Sequence, residues 1–124
     1  MTSKGLKLIH EDALQPDPTP TPGMTRVHAI TAEGLTSGTV TTLPGVVSGW
    51  HHHGAHETSI YVVRGTLRME FAGGGFDAHE GDFIHVPAGA VHRESNPGNE
   101  ANLAVFSRAG TGAVTVNVET PAKG

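Results

Sequence analysis

Glycine and proline interrupt this sequence at short intervals, and this spacing limits the possible folds more than any other feature. The 124 residues include 17 glycines and 8 prolines. Between them lie short runs in which apolar and polar residues alternate, most clearly at 24–31, 35–43, 60–63 and 66–71. No segment shows the 3.6-residue repeat of an amphipathic helix. The pattern therefore predicts an all-β protein, a sandwich or barrel of many short strands.

Composition limits the size and the partners of the protein. A chain of 124 residues is long enough for one domain with a core and too short for two. The net charge of −4, without a basic patch, argues against a nucleic-acid partner. No cysteine is present, which excludes disulfides and thiolate ligands. The N-terminus lacks a long apolar run, so we expect no secretory signal, no membrane partner and a cytoplasmic location.

Four of the nine histidines lie within six positions, at 51, 52, 53 and 56. If this run is a strand, alternation places His51 and His53 on one face and His52 on the other. Two imidazoles on one strand face can converge on one ion, and neutral imidazole is a common ligand of transition metals. The segment therefore predicts a metal site, with a solvated strand end as the alternative interpretation.

A second segment, 81–96, carries glycine, proline, histidine and asparagine at defined spacings. It contains Gly81, Pro87, Gly89, His92 and Asn96, separated by five, one, two and three residues. Together with Gly45, His51, His53 and Gly65, this spacing resembles the two signature motifs of the cupin superfamily. The resemblance covers residues 23–118. It implies the cupin barrel, a jelly roll also called a double-stranded β-helix, with His92 as a further metal ligand.

The first motif departs from the cupin pattern at the carboxylate ligand. Cupins usually place a glutamate three or four residues after the second histidine and seven before the closing glycine. Here the first count gives Glu57 and the second gives Thr58. If the strand phase from Gly65 holds, Thr58 faces inward with His56 on the same parity, and the ligand set is His51, His53, His56 and His92. A bulge after Glu57 would bring that carboxylate in instead. We favour the all-histidine set.

An all-histidine set has a chemical consequence. Four neutral ligands leave a divalent ion its full formal charge and make it a stronger Lewis acid. Magnesium and calcium are disfavoured because they prefer oxygen ligands. Zinc and ferrous iron fit best, and nickel, copper or manganese stay open.

Two further places carry candidate chemistry. Glu94 follows His92 by two positions and shares its strand face, which makes it a candidate general base. Arg26 and His28 alternate on a predicted strand near the barrel mouth. They are either solvated edge residues or contacts for a substrate carboxylate or phenolate.

The chain divides into an N-terminal arm and spacer over 1–22, a cupin domain over 23–118 and a tail over 119–124. The spacer carries prolines at positions 16, 18, 20 and 22. The resemblance implies a homodimer in which residues 1–12 cross to the partner subunit, with a frayed terminus as the alternative. The leading hypothesis is an enzyme that activates a small organic substrate at the metal. The chemistry would be Lewis-acidic, as in a polyketide cyclase or an isomerase, or that of a dioxygenase. The alternative is a non-catalytic ligand-binding or sensing cupin with a structural metal.

Overall fold

A computed structural model describes residues 5–18, 21–112 and 114–121 of the chain. Within these ranges the chain forms eleven short strands and one 3₁₀ turn, Glu11–Ala13. The strands are β1 (Gln15–Pro16), β2 (Met24–Ala32), β3 (Leu35–Thr42), β4 (His51–His52), β5 (Glu57–Arg64), β6 (Leu67–Phe71), β7 (Gly74–Ala78), β8 (Phe83–Val86), β9 (Arg93–Ser95), β10 (Asn102–Ala109) and β11 (Val116–Asn117). The expected all-β fold is confirmed.

The strands build two layers. The larger layer is a six-stranded sheet in the order β1-β2-β3-β10-β5-β8. The smaller layer combines the β7-β6-β9 sheet with the β11-β4 pair. Backbone hydrogen bonds join these two parts, from Ser48 N–H to the Glu94 carbonyl at 2.8 Å and in both directions between His51 and His92 at 2.8 and 2.9 Å. This arrangement is the jelly roll of the double-stranded β-helix.

Both layers contribute to one core, because each strand turns alternate side chains inward. Along β5, Thr58, Ile60 and Val62 are buried while the residues between them are exposed. This is the phase expected from Gly65. The core consists of Met24, Val40, Ile60, Val62, Leu67, Met69, Ala78, Ile84, Val86, Ala104 and Phe106.

The described part of the proline-rich spacer lies against the edge of the larger sheet. Gln15 and Pro16 pair with His28 and Val27, and the Asp17 amide donates to the Arg26 carbonyl at 3.0 Å. This part of the spacer therefore pairs with the sheet as an exposed edge strand, although the sequence predicted only a spacer here. The division at residues 22 and 118 and the crossing arm stay predictions, and positions 1–4, 19–20 and 122–124 lie outside the described residues.

Candidate metal centre

Three of the predicted ligands meet at the join between the two parts of the smaller layer. His51 lies on β4, His53 follows it, and His92 pairs with His51 through an antiparallel bridge. All three are buried, and one ring nitrogen from each lies within 4.8 Å of the others. The shared face of His51 and His53 is confirmed, while His52 turns aside and its Nδ1 accepts a hydrogen bond from Gly54 N–H at 3.0 Å.

Backbone carbonyls set the ring orientation of all three histidines. Nδ1 of His51 donates to Gly49 O at 2.8 Å, Nδ1 of His53 to Val114 O at 2.7 Å, and Nδ1 of His92 to Ala90 O at 2.9 Å. A carbonyl oxygen only accepts hydrogen bonds, so each Nδ1 carries the proton and each neutral ring keeps a lone pair on Nε2. Metal-binding histidines are usually held in this way. The three residues therefore fit a divalent transition metal.

Burial favours the neutral form of two of these imidazoles, His53 and His51, by lowering their pKa. It lowers the pKa of His53 to about 3, and the positive charge of Arg108 is the next largest cause. Burial also lowers the pKa of His51, against the opposing effect of its hydrogen bond to Gly49. A neutral ring is the form that binds a metal, so at neutral pH these two ligands need not lose a proton first.

The structure does not bring His56, the favoured fourth ligand, into this group. Among the described residues, the group of histidine, aspartate and glutamate side chains close enough to share an ion contains only His51, His53 and His92. The reason is a tight turn, because the backbone N–H of His56 donates to His53 O at 2.9 Å and its ring Nδ1 bonds the same oxygen at 3.1 Å.

The two alternatives to His56 are also placed away from the group or already engaged. Glu57 is exposed, and its carboxylate accepts from His85 Nε2 at 2.8 Å. The pairing of β5 with β10 and β8 shows no shift at Glu57, so the bulge that this alternative required does not form. Thr58 points inward, but its Oγ1 accepts from Arg108 Nε at 3.2 Å. The described protein atoms thus supply three converging ligands, and a fourth from the protein stays a prediction.

A family comparison decides the classification. Residues 38–107, more than half of the chain, match the family described as the cupin domain. The chain is a cupin. A search of curated protein sequences finds no significant match to it.

Solved structures support the same fold for this cupin. It is similar to the polyketide cyclase RemF of Streptomyces resistomycificus, with a TM-score of 0.77, 18% identity and coverage of 94% of this chain and 88% of that one. A conserved double-stranded β-helix protein from Klebsiella pneumoniae has a TM-score of 0.72 and 21% identity, with coverage of 82% of this chain and 90% of that one. KdgF from Halomonas sp. has a TM-score of 0.70 and 19% identity, with coverage of 85% of this chain and 94% of that one. At these identities the likeness shows the fold alone.

A cavity of about 310 Å³ opens beside the histidines of the cupin. His51, His53 and Glu94 line it, together with Asp17, Thr21, Arg26, Val40, Ser48, Gly49, Ile60, Phe106, Arg108, Val114, Thr115 and Asn117. Glu94 is buried, and its backbone N–H donates to Ser48 Oγ at 2.9 Å. A small molecule in this cavity would therefore lie between the histidines and a carboxylate. No helix in the described ranges has the length and apolarity of a membrane span.

The cavity includes one residue that the sequence analysis missed. Arg108 follows Ala104 and Phe106 on the inward face of β10. A charged residue that continues a buried parity is the feature that would have found it. Arg26, one of the two residues considered at the barrel mouth, does line the cavity. His28 instead pairs with Asp17 at 3.0 Å.

Proposed function

We propose that this cupin is a metal-dependent enzyme that activates a small organic substrate in the cavity beside His51, His53 and His92. One observation carries the proposal. Three buried imidazoles each bring one ring nitrogen within 4.8 Å of the others, a backbone carbonyl fixes each ring, and two of the three line a cavity large enough for a small molecule. Orienting three rings with the proton on Nδ1 leaves three Nε2 lone pairs that suit a metal.

Different side chains of the cavity have different proposed roles. His51, His53 and His92 would hold a divalent ion, which supplies Lewis acidity toward a substrate oxygen or, as ferrous iron, chemistry with dioxygen. Glu94 is the proposed general base, because its buried carboxylate faces the same cavity and can take a proton from a substrate bound there. The apolar lining from Val40, Ile60 and Phe106 excludes water from the substrate.

Two reaction classes share this arrangement. Lewis-acid chemistry, such as cyclisation or isomerisation, uses a metal with no redox role and needs the Glu94 carboxylate to move a proton. A dioxygenase requires a redox-active metal and depends less on a base. RemF, a solved structure of similar fold, is a polyketide cyclase. The buried glutamate on the same cavity as the histidines also favours the first class.

The first test is elemental analysis of the protein purified without air or chelator, beside a His51→Ala/His53→Ala double variant. We expect about one zinc or iron per chain in the natural protein and none in the double variant. A His92→Ala variant should also lose the ion. Zinc would support Lewis-acid chemistry, whereas iron would direct the next assay to oxygen uptake.

The outcome also separates an enzyme from a binding protein. If a metal is bound, Glu94→Gln should keep it and slow turnover by about 100-fold or more, the scale of general acid–base catalysis. A protein that holds the ion and a ligand yet turns nothing over would instead be a binding or sensing cupin. Absence of metal from the natural protein would contradict the proposed function.

A further inference from the structure

Arg108 is held rigidly at the wall of the cavity. It lies on β10 opposite Thr58, and its Nε donates to Thr58 Oγ1 at 3.2 Å. Its guanidinium carbon lies 4.9 Å from the centre of the Phe106 ring. No hydrogen bond from its two terminal nitrogens to another described residue is present. The guanidinium therefore offers an oriented pair of N–H groups to a ligand.

A second cation shares the cavity. Arg26 donates through Nη1 to Thr21 Oγ1 at 3.0 Å and reaches Met24 Sδ at 3.6 Å. Over the described ranges, neither Arg26 nor Arg108 forms an ion pair with a carboxylate, since the observed pairs involve other basic residues. Burial lowers the pKa of Arg108, although the carboxylate of Glu94 opposes this effect. Two partly desolvated cations without a directly paired anion favour an anionic ligand.

The position of Arg108 links this charge to the histidines. Thr58 occupies one of the two places where the cupin spacing would put a ligand carboxylate, and Arg108 is bonded to it. Arg108 and His53 line the same cavity. With a divalent ion bound, the protein would therefore present positive charge from two directions and no ligand carboxylate of its own among the described residues.

We propose that the substrate is a small organic acid whose carboxylate is bound by Arg108 while a hydroxyl or carbonyl oxygen close to that carboxylate faces the histidines. This inference rests on the proposed function for the second contact but not for the first. The planar guanidinium matches a carboxylate in shape and can bind both of its oxygens. Arg26 supplies further positive charge on the same cavity.

The charge of the lining favours a carboxylate over a phosphate ester. Asp17 and Glu94 also line the cavity, so the two arginines are balanced by two acids and only the metal adds net positive charge. A singly charged carboxylate needs less positive charge from the lining than a dianionic phosphate does. Phosphate sites also commonly use backbone N–H groups at a helix N-terminus, and the described fold has one 3₁₀ turn and no α-helix.

The test is calorimetric titration of two acids and their neutral amides into the protein with and without one equivalent of zinc. The probes are glycolate against glycolamide and salicylate against salicylamide. We expect at least one acid to bind the zinc-loaded protein ten times or more tightly than its amide. Acid and amide bound alike, or neither bound to a protein that holds zinc, would overturn the inference.

Substitutions assign the preference to the guanidinium. Arg108→Gln should weaken binding of the acid by about 10- to 100-fold, the scale of a charge-assisted hydrogen bond pair. It should leave the amide and the zinc content unchanged. Arg68→Gln is the matched control, because Arg68 pairs with Asp77 outside this cavity. An Arg108→Gln protein that keeps the full preference for the acid would overturn the inference.

Two further measurements keep the test decisive. If Arg108→Gln lowers the melting temperature so far that the protein unfolds, Arg108→Lys retains the charge without the paired N–H groups and should lose about threefold to tenfold in acid binding. Unchanged acid binding in that variant would count against the inference. Inorganic phosphate should displace the acid only at concentrations above the acid's own dissociation constant. Displacement at a lower phosphate concentration would also overturn the inference.

The metal-free titration separates this inference from the proposed function. The contact with Arg108 does not need the ion, so a weaker preference for the acid should persist without zinc. If the natural protein binds no metal but still prefers the acid, the proposed function fails and the carboxylate contact stands. If it binds metal but shows no preference for the acid, the inference about Arg108 fails and the proposed function stands.

Discussion

Nδ1 of His53 donates to the backbone carbonyl of Val114 at 2.7 Å, across 61 positions of the sequence. Beyond Val114, strand β11 pairs with β4, which carries His51, and Val118 N–H donates to Trp50 O at 3.0 Å. The C-terminal segment 114–118 therefore orients one histidine and lies against the strand that carries another. This segment also lines the cavity through Val114, Thr115 and Asn117.

Truncation of the C-terminal segment should weaken metal binding. A chain ending at Gly112 loses the carbonyl that orients His53 and the β11 pairing, and we expect its zinc affinity to fall by about 10- to 100-fold, the usual effect of removing such outer support. Competition with a chromogenic chelator measures this. A chain ending at Glu119 keeps segment 114–118 and is the control. Equal affinity in both truncated chains would contradict the role of Val114.

Gly38→Ala should destabilise the larger sheet. Gly38 lies on β3 opposite the irregularity between His28 and Ile30 in β2, and a Cβ built there would clash with the Val27 carbonyl oxygen. Because the clash is with backbone, we expect a loss of about 3 kcal/mol or more in the free energy of unfolding. Urea denaturation measures it. Gly49→Ala has open space around the new Cβ and should stay within about 1 kcal/mol. A similar stability for both variants would refute the argument.

Asn102→Ala should cost about 2 to 4 kcal/mol in the free energy of unfolding. Asn102 is 1% exposed; its Oδ1 accepts from Thr42 N–H at 3.1 Å and its Nδ2 donates to Thr66 O at 2.9 Å. Removing the amide leaves both backbone groups without this partner, at about 1–3 kcal/mol each. Thermal and urea unfolding check the value against Asn99→Ala, an exposed position. A cost below about 1 kcal/mol would show that these bonds add little stability.

The metal-free protein should lose stability as the pH falls below about 6.5. The pKa of His53 is lowered from 6.5 to about 3 by burial, so between these values the unfolded chain binds a proton that the folded chain does not. The stability that neutral His53 contributes is fully present above the pKa of 6.5 in the unfolded chain and is lost as the pH falls toward 3. Melting temperatures of wild type and His53→Asn, measured from pH 7.5 to 4.5, should converge as the pH falls. Melting temperatures of the two proteins that fall in parallel with pH would contradict this direction of the pH dependence.

Local pattern was sufficient for the strands and for three histidines. The strand phase counted from Gly65 predicted that Thr58 faces inward, and Thr58 is buried on β5. The spacing of His51 and His53 placed both on one face because neighbouring strand residues always point to opposite sides. The motif around His92 predicted the third member through its resemblance to cupins. These properties depend on residues a few positions apart, so the sequence alone contains them.

The surroundings of the three histidines depended on contacts between distant parts of the chain. The pairing of Glu57 with His85, 28 positions apart, keeps that carboxylate away from the three histidines. The pairing of β10 with β5 decides that Arg108 meets Thr58. No local pattern encodes such contacts, because each depends on the register between strands that are far apart in sequence. The sequence by itself determined an all-β cupin with a histidine-rich site, whereas the tertiary structure decided which groups surround that site and the charge that a ligand meets there.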